Sequence, residues 1–269
     1  CHLAQNNDIR DAVVLAKSYL NKGYRQAKRC GAYTVFEHTV SALSLMDMPK
    51  LCYQAALIGE SFHFPPCPPK LGIYPVVDSS DWITKLVKES ISTIQLRIKA
   101  GDENHRREEI EKAVLCCDES VAFFVNDDWQ LAIQAGAYGV HLGQEDLHDA
   151  ELKEIERAGL RLGVSTHSYW ELARALAVNP SYIALGPIFE TNSKQMPFEP
   201  QGIDRVTDWV RLLDDNYPMV AIGGIDLDRA KQLKTTGVGS VAMISAITQA
   251  ADYKQATQDL LFAWHTQTN

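Results

Sequence analysis

Several absences narrow the reading of this 269-residue chain. No apolar run approaches the ~18 residues that a membrane-crossing helix needs, and no basic stretch followed by an apolar run opens the sequence as a secretion signal would. Cations are in deficit: 26 lysines and arginines against 34 acidic residues leave a formal charge of −8. That balance argues against nucleic acid or an anionic membrane as the main partner, although a few local cations still suffice for a small anionic substrate. Paired cysteines are missing too. Cys1, Cys30, Cys52, Cys67, Cys116 and Cys117 include no CxxC pair, and two are adjacent, a poor geometry for zinc or a disulfide framework. Reduced thiols in a cytoplasmic protein are therefore expected. Cys in first position, where Met would stand, reads as a fragment or a processed chain. No HExxH, Walker or Ser-His-Asp arrangement is readable.

What is present changes character near residue 70. Over Asp8 to Lys28, Ile9, Val13, Ala16, Leu20 and Tyr24 recur at helical spacing and predict an amphipathic helix. Val40, Leu43 and Leu51 predict a second helix within Tyr33–Ala56, bent or broken at Pro49. The run Phe64-Pro65-Pro66-Cys67-Pro68-Pro69 can continue neither a helix nor a central strand, so it is expected to be a stiff linker or an edge strap. Beyond it, short apolar runs alternate with helical patterns. Strands are expected at Gly72–Val77, Thr93–Ile98, Ala122–Val125, Gly139–Leu142, Arg161–Val164, Tyr182–Leu185, Met219–Ile222 and Ser240–Ile244. Amphipathic stretches such as Asp81–Ser90, Asn104–Cys117, Asp128–Ala135, Tyr169–Ala177 and Asp226–Thr236 lie between them. A doubly wound sheet shares this grammar, but the count of eight selects an α/β fold of the (β/α)8 TIM barrel type with an N-terminal helical extension.

In such barrels reactive groups follow the C-terminal ends of the strands. Alternation puts Gln95, Arg97 and Lys99 on one face, and two cations pointing inward call for an anion or a carboxylate. Asn126 and Asp127 follow the third strand of the eight, and Asp146 follows the fourth. Two neighbouring carboxylates repel unless a cation or a proton relieves them, and open oxygen ligands suit Mg²⁺ bridging to phosphates. Asp after a strand is usually a helix N-cap, and Asp127 read alone could be only that, but its pairing with Asp146 and the cations favours the metal. Ser165 follows the fifth strand. The sixth leads into a long loop carrying Thr191, Ser193 and Lys194, and loops of that length are usually functional. Gly223-Gly224 and Ile244-Ser245 end the last two strands, where this fold recurrently binds phosphate, although two glycines could also make only a tight turn. His141 and His167 fit structural or capping roles better than acid–base ones.

QLRIK, FVNDDWQLAIQAGAYGVHLGQEDL, LGVSTHS, YIALGPIFETNSK, PQG, VAIGGI and VAMISAI, in this order, resemble the thiamine-phosphate synthase family from about Leu71 to Ala263. His2–Ala27 is similar to the last helix of hydroxymethylpyrimidine phosphate kinases. The two resemblances divide the chain into a kinase remnant at 1–30, a helical and Pro-rich linker at 31–70 and a synthase barrel at 71–269. They imply a bifunctional fusion, with a kinase domain on the same chain in the full-length protein. They also imply a transferase that condenses a pyrimidine diphosphate with a thiazole phosphate or its carboxylate, releasing pyrophosphate, with one Mg²⁺ per active site. By resemblance Gln95, Arg97, Lys99, Asn126, Ser165 and Lys194 hold the diphosphate, with Arg97, Lys99, Ser165 and Lys194 catalytic. Asp127 and Asp146 hold the metal, and Thr191, Ser193, Gly224, Ile244 and Ser245 take the thiazole phosphate. The family often has Glu where Ile98 stands and Thr-x-Thr where Thr191-Asn192-Ser193 stands; Ser193 keeps a hydroxyl. Partners are expected to be small molecules, with oligomeric state left open. A thiazole tautomerase would not need the pyrophosphate set, and a silent thiazole-phosphate binder would lose the metal carboxylates; both sets are present.

Overall fold

Strands covered on both faces read as unbroken apolar runs, and Thr93–Leu96 and Tyr182–Leu185 are buried at every residue. In the computed structural model, which describes residues 8–36, 38, 43–52, 54, 58–191 and 199–266, eight such strands close into a ring. A short hairpin, β1 (Lys28–Cys30) and β2 (Tyr33–Val35), precedes them. The ring strands are β3 (Gly72–Val77), β4 (Thr93–Leu96), β5 (Ala122–Asn126), β6 (Gly139–Leu142), β7 (Arg161–Thr166), β8 (Tyr182–Leu185), β9 (Met219–Ile222) and β10 (Ser240–Met243). All pairs in the ring are parallel, and β10 returns to β3 with Ser240 opposite Gly72 and Met243 opposite Pro75. The Ser240 hydroxyl accepts from the Leu71 N–H at 2.7 Å, extending that seam below the strand. The expected (β/α)8 barrel is what forms.

Helices fill the crossovers: α2 (Ser80–Lys88), α3 (Glu103–Cys116), α4 (Trp129–Ala135), α5 (Gln144–Asp149), α6 (Leu152–Arg157), α7 (Tyr169–Val178), α8 (Gly202–Leu213), α9 (Leu227–Lys234), α10 (Ser245–Thr248) and α11 (Tyr253–His265). The barrel is filled, not hollow. Tyr74, Val76, Phe124, Tyr182, Ala184, Val220 and Ala242 form one inner cluster, with Cys67 and Leu71 packed beneath. Room for Tyr182 comes from its partner in register, Gly163, where a Cβ would fall 2.2 Å from the phenol ring. The Pro-rich segment is a strap on this unit: Phe64 and Cys67 are buried, and the Pro65 and Pro66 carbonyls accept from Ser181 and Arg161. Among the described residues no helix is long and apolar enough to cross a membrane.

A second compact unit comprises residues 1–60 and 168–178. Its first helix, α1 (Ile9–Arg25), starts where the Asp8 carboxylate accepts from the N–H groups of Arg10 and Asp11. The buried face is a correction to the expected stripe. Ala12, Val14, Leu15 and Ser18 are buried, whereas Ile9, Val13, Ala16, Leu20 and Tyr24 are exposed. The two sets differ by about two residues, roughly 200° around a helix, so apolar spacing alone could not choose between them. Asp11 also accepts from the Trp170 N–H at 2.8 Å, at the start of α7.

The second expected helix is corrected too. Within Tyr33–Ala56 the described residues hold β2 and a single 3-10 turn, Leu45–Asp47. Gly31, at φ +62°, and Ala32 form a two-residue turn that pairs Cys30 with Tyr33. Asp47 holds the 3-10 turn through Arg25, whose Nε and Nη2 donate to both carboxylate oxygens at 2.9 and 2.8 Å. Val40 of the predicted stripe lies outside the described residues.

Replacing Gly163 by Ala should destabilise the barrel by about 1–3 kcal/mol through overpacking against Tyr182. Urea denaturation would check this, with an unchanged midpoint as the contrary result.

Candidate active site at the barrel mouth

Parallel closure places the ends of β4, β5, β6 and β7 side by side. Gln95 pairs in register with Phe124, Asn126 with His141, and His141 with Gly163. Arg97 leaves β4 through an N–H···O bond to Val77 at 2.7 Å and is half-buried, whereas Lys99 is exposed two residues further on. Asn126 is half-buried at the end of β5. The next residue, Asp127, turns into the left-handed region at φ +65° while its N–H donates to the His141 carbonyl at 3.0 Å. That turn brings its carboxyl within hydrogen-bonding reach of Asp146, on the first turn of α5. The residue keeps a solvent-open surface, yet loss of water around the carboxyl and then the charge of Asp146 raise its pKa to about 7, with Arg97 pulling the other way. Arg97, Asp127 and Asp146 thus form one cluster. Arg106 serves another carboxylate, Asp128, at 3.0 Å.

Beneath this cluster runs a line of hydrogen bonds that sequence reasoning missed. Gln95 Nε2 donates to Tyr74 Oη at 3.3 Å, and Tyr74 Oη lies 3.0 Å from Tyr182 Oη. Tyr182 Oη lies 2.6 Å from His141 Nδ1, and His141 Nε2 lies 2.7 Å from Ser165 Oγ. Burial above all raises both phenols' pKa values, so they keep their protons. Burial, then Arg97 and His167, lower His141 to about 4, so the ring is neutral. His141 is therefore a buried histidine with both nitrogens bonded, as the structural reading expects. The Gln144 amide adds a bond to the Ser165 carbonyl at 2.7 Å. Strand alternation could have flagged Tyr74 and Tyr182 as inward, but not that they meet.

The opposite side of the mouth is built by glycine. Gly223 and Gly224 follow β9 at φ +104° and +66°. A Cβ on Gly223 would fall 2.7 Å from Pro187, and one on Gly224 would fall 2.4 Å from the Glu190 carbonyl, so neither position admits a side chain. The reason is the loop after β8, whose Ile188 and Phe189 N–H groups donate to Ile222 and Gly223. Thr191, half-buried, ends the first described stretch of that loop. Since Ala242 pairs with Ile222, Ile244 and Ser245 emerge from β10 beside Gly224. Arg229 braces the turn by donating to the Gly224 carbonyl at 2.5 Å and stacking over Phe189 at 4.7 Å. Ser193 and Lys194 lie outside the described residues.

A cation suits this mouth on chemical grounds. Asp127 and Asp146 offer hard oxygen donors, and after loss of water the charge of Asp146 is what most disfavours an ionised Asp127. Among the described residues no group of three or more His, Cys, Asp or Glu is placed to hold a metal. An ion here would complete its shell with oxygens of substrate or water, which is Mg²⁺ behaviour.

The raised Asp127 pKa has a stability consequence. Between its ordinary 3.8 and about 7 the folded chain keeps a proton that the unfolded chain has released. Stability should therefore fall as pH rises through that window in metal-free protein. Asp127→Asn should flatten that part of the curve in urea melts; an identical slope in both proteins would contradict the assignment.

Several known proteins are similar to this chain. A family model described as thiamine monophosphate synthase matches residues 73–247. The thiamine-phosphate synthase of Pectobacterium atrosepticum is 53% identical over 203 residues, covering 75% of this chain and 95% of that protein. Its counterpart from Serratia proteamaculans is 55% identical over 199 residues, covering 74% and 93%. The solved thiamine phosphate pyrophosphorylase from Pyrococcus furiosus superposes with a TM-score of 0.65 at 29% identity, over 72% of this chain and 96% of that one. The matched span holds all eight barrel strands but the first residue of β3, and with it every group described at the mouth. This chain belongs to the thiamine monophosphate synthase family.

Proposed function

We propose that this chain is a thiamine-phosphate synthase, joining 4-amino-2-methyl-5-hydroxymethylpyrimidine diphosphate to 4-methyl-5-hydroxyethylthiazole phosphate. One observation carries the reading: a single mouth gathers Arg97 with the Asp127–Asp146 pair on one side and the Gly223–Gly224 and Ile244–Ser245 ends on the other. Two phosphorylated substrates that must meet need two anion sites facing one space.

The bond that breaks joins the pyrimidine methylene to the diphosphate oxygen, and its electron pair leaves with pyrophosphate. The bond that forms uses the lone pair of the thiazole nitrogen, so no base need remove a proton. What the protein has to supply is stabilisation of charge on the departing group, placed in advance. Arg97 and Lys99 would offer cations to the diphosphate, while Gln95, Asn126, Ser165 and Lys194 would add hydrogen bonds or charge. Mg²⁺, held by Asp127 and Asp146, would supply further positive charge to the diphosphate oxygens when bound. Thr191, Ser193, Gly224, Ile244 and Ser245 would hold the thiazole phosphate, with glycine letting backbone N–H groups approach the anion. Neutral His141 adds no competing cation beneath the diphosphate.

Incubation with both substrates and Mg²⁺ should yield thiamine phosphate and pyrophosphate in equal amounts; absence of the coupled product would contradict the reading. Asp127→Ala should lower turnover by about 10²-fold or more, the scale on which removal of preplaced charge stabilisation acts, and should blunt the response to added Mg²⁺. Lys194→Ala should raise the KM for the diphosphate more than that for the thiazole phosphate. Equal effects on both substrates would remove Lys194 from the diphosphate site.

A further inference from the structure

The buried line from Gln95 to Ser165 has a direction. Each phenol has one proton to give, and a buried O–H without an acceptor is costly. Gln95 meets Tyr74 with its amide N–H, which only donates, so Tyr74 Oη must accept there and has Tyr182 Oη to donate to. Tyr182 Oη, having accepted, donates onward to His141 Nδ1. A neutral imidazole that accepts at Nδ1 carries its proton on Nε2, and that proton points at Ser165 Oγ. Run the other way, the line would end with the Tyr74 proton facing an N–H. With the Gln95 amide in this orientation, one direction satisfies every group and the reverse does not.

We propose that Tyr74, Tyr182 and His141 are positioning residues that fix the Nε2–H tautomer of His141, so that Ser165 Oγ accepts from below and must donate its own proton into the mouth. Ser165 is half-buried, and among the described residues its hydroxyl bonds to no side chain but His141. A serine left to itself can rotate its proton toward any acceptor. A serine whose lone pair already receives Nε2–H presents a donor, which is what a departing phosphate oxygen requires. The relay also couples the two ends of the diphosphate side, because it begins at the Gln95 amide and finishes at Ser165. The inference rests on the reading that Ser165 faces the diphosphate.

Three measurements separate that reading from the relay. Nitrogen-15 spectra of the imidazoles in the full chain should show His141 with a pyrrole-like Nε2 and a pyridine-like Nδ1; a protonated Nδ1 overturns the relay without any assay. Ser165→Ala should lower kcat by at least tenfold, and no loss there would sink the placement of Ser165 and the relay with it. Tyr182→Phe should lower kcat by about tenfold while leaving the KM for the thiazole phosphate within twofold. Placed in the Ser165→Ala background, Tyr182→Phe should cost less than a further twofold, because it acts through the missing hydroxyl. Multiplying effects would show that Tyr182 acts independently, overturning the relay while leaving Ser165 on the diphosphate. Tyr74→Phe gives a second route: Tyr182 keeps its proton for His141, so kcat should fall less than in Tyr182→Phe. Equal losses would point to packing alone.

Discussion

Pairing of the last strand with the first governs the rest of the molecule. When Ser240 meets Gly72 and Met243 meets Pro75, eight parallel strands lose their edges and all eight C-terminal ends are forced onto one rim. Residues far apart in the chain, such as Arg97, Asp146 and Gly224, then open onto a common space because each follows a strand end. The interior must be filled for the ring to hold its shape. Tyr74, Phe124 and Tyr182 do most of that, with Gly163 and Gly139 conceding the volume their rings occupy.

That filling is not purely apolar, and its polarity connects scaffold to site. Two phenols, an imidazole and a primary amide stand inside the barrel, where each would be destabilising without a partner. Together they satisfy one another and finish at a hydroxyl in the mouth. The mouth takes the opposite course: Asp127 and Asp146 are held close, and Arg97 offsets only part of the penalty on an ionised Asp127. Folding tolerates an unfavourable pair where a ligand cation can relieve it, and a proton held on Asp127 does so in its absence.

Much of this was legible in the sequence, for identifiable reasons. β3, β6, β8 and β9 begin and end where their mostly apolar runs do, because strands covered on both faces are largely apolar and stop at the first turn residue. Arg97, Asp127 and Asp146 could be placed together because strand ends in a closed barrel share a rim. The N-terminal unit was less readable. Two apolar stripes share α1, and burial depends on which one meets a partner, which helical period does not encode. β2 stood in a stretch read as helix because Gly31 could reverse the chain before any helical turn closed. The phenol relay was hidden for a different reason: alternation says which residues point inward, whereas strand register decides which of them touch.

The most direct measurement is a crystal structure of this chain with pyrophosphate and Mg²⁺. One metal ion is expected, ligated by Asp127 and Asp146 and by diphosphate oxygens, with Arg97, Lys99 and the Ser165 hydroxyl donating to the same anion. Pyrophosphate bound away from these groups, or an ion that leaves both carboxylates unligated, would contradict this placement.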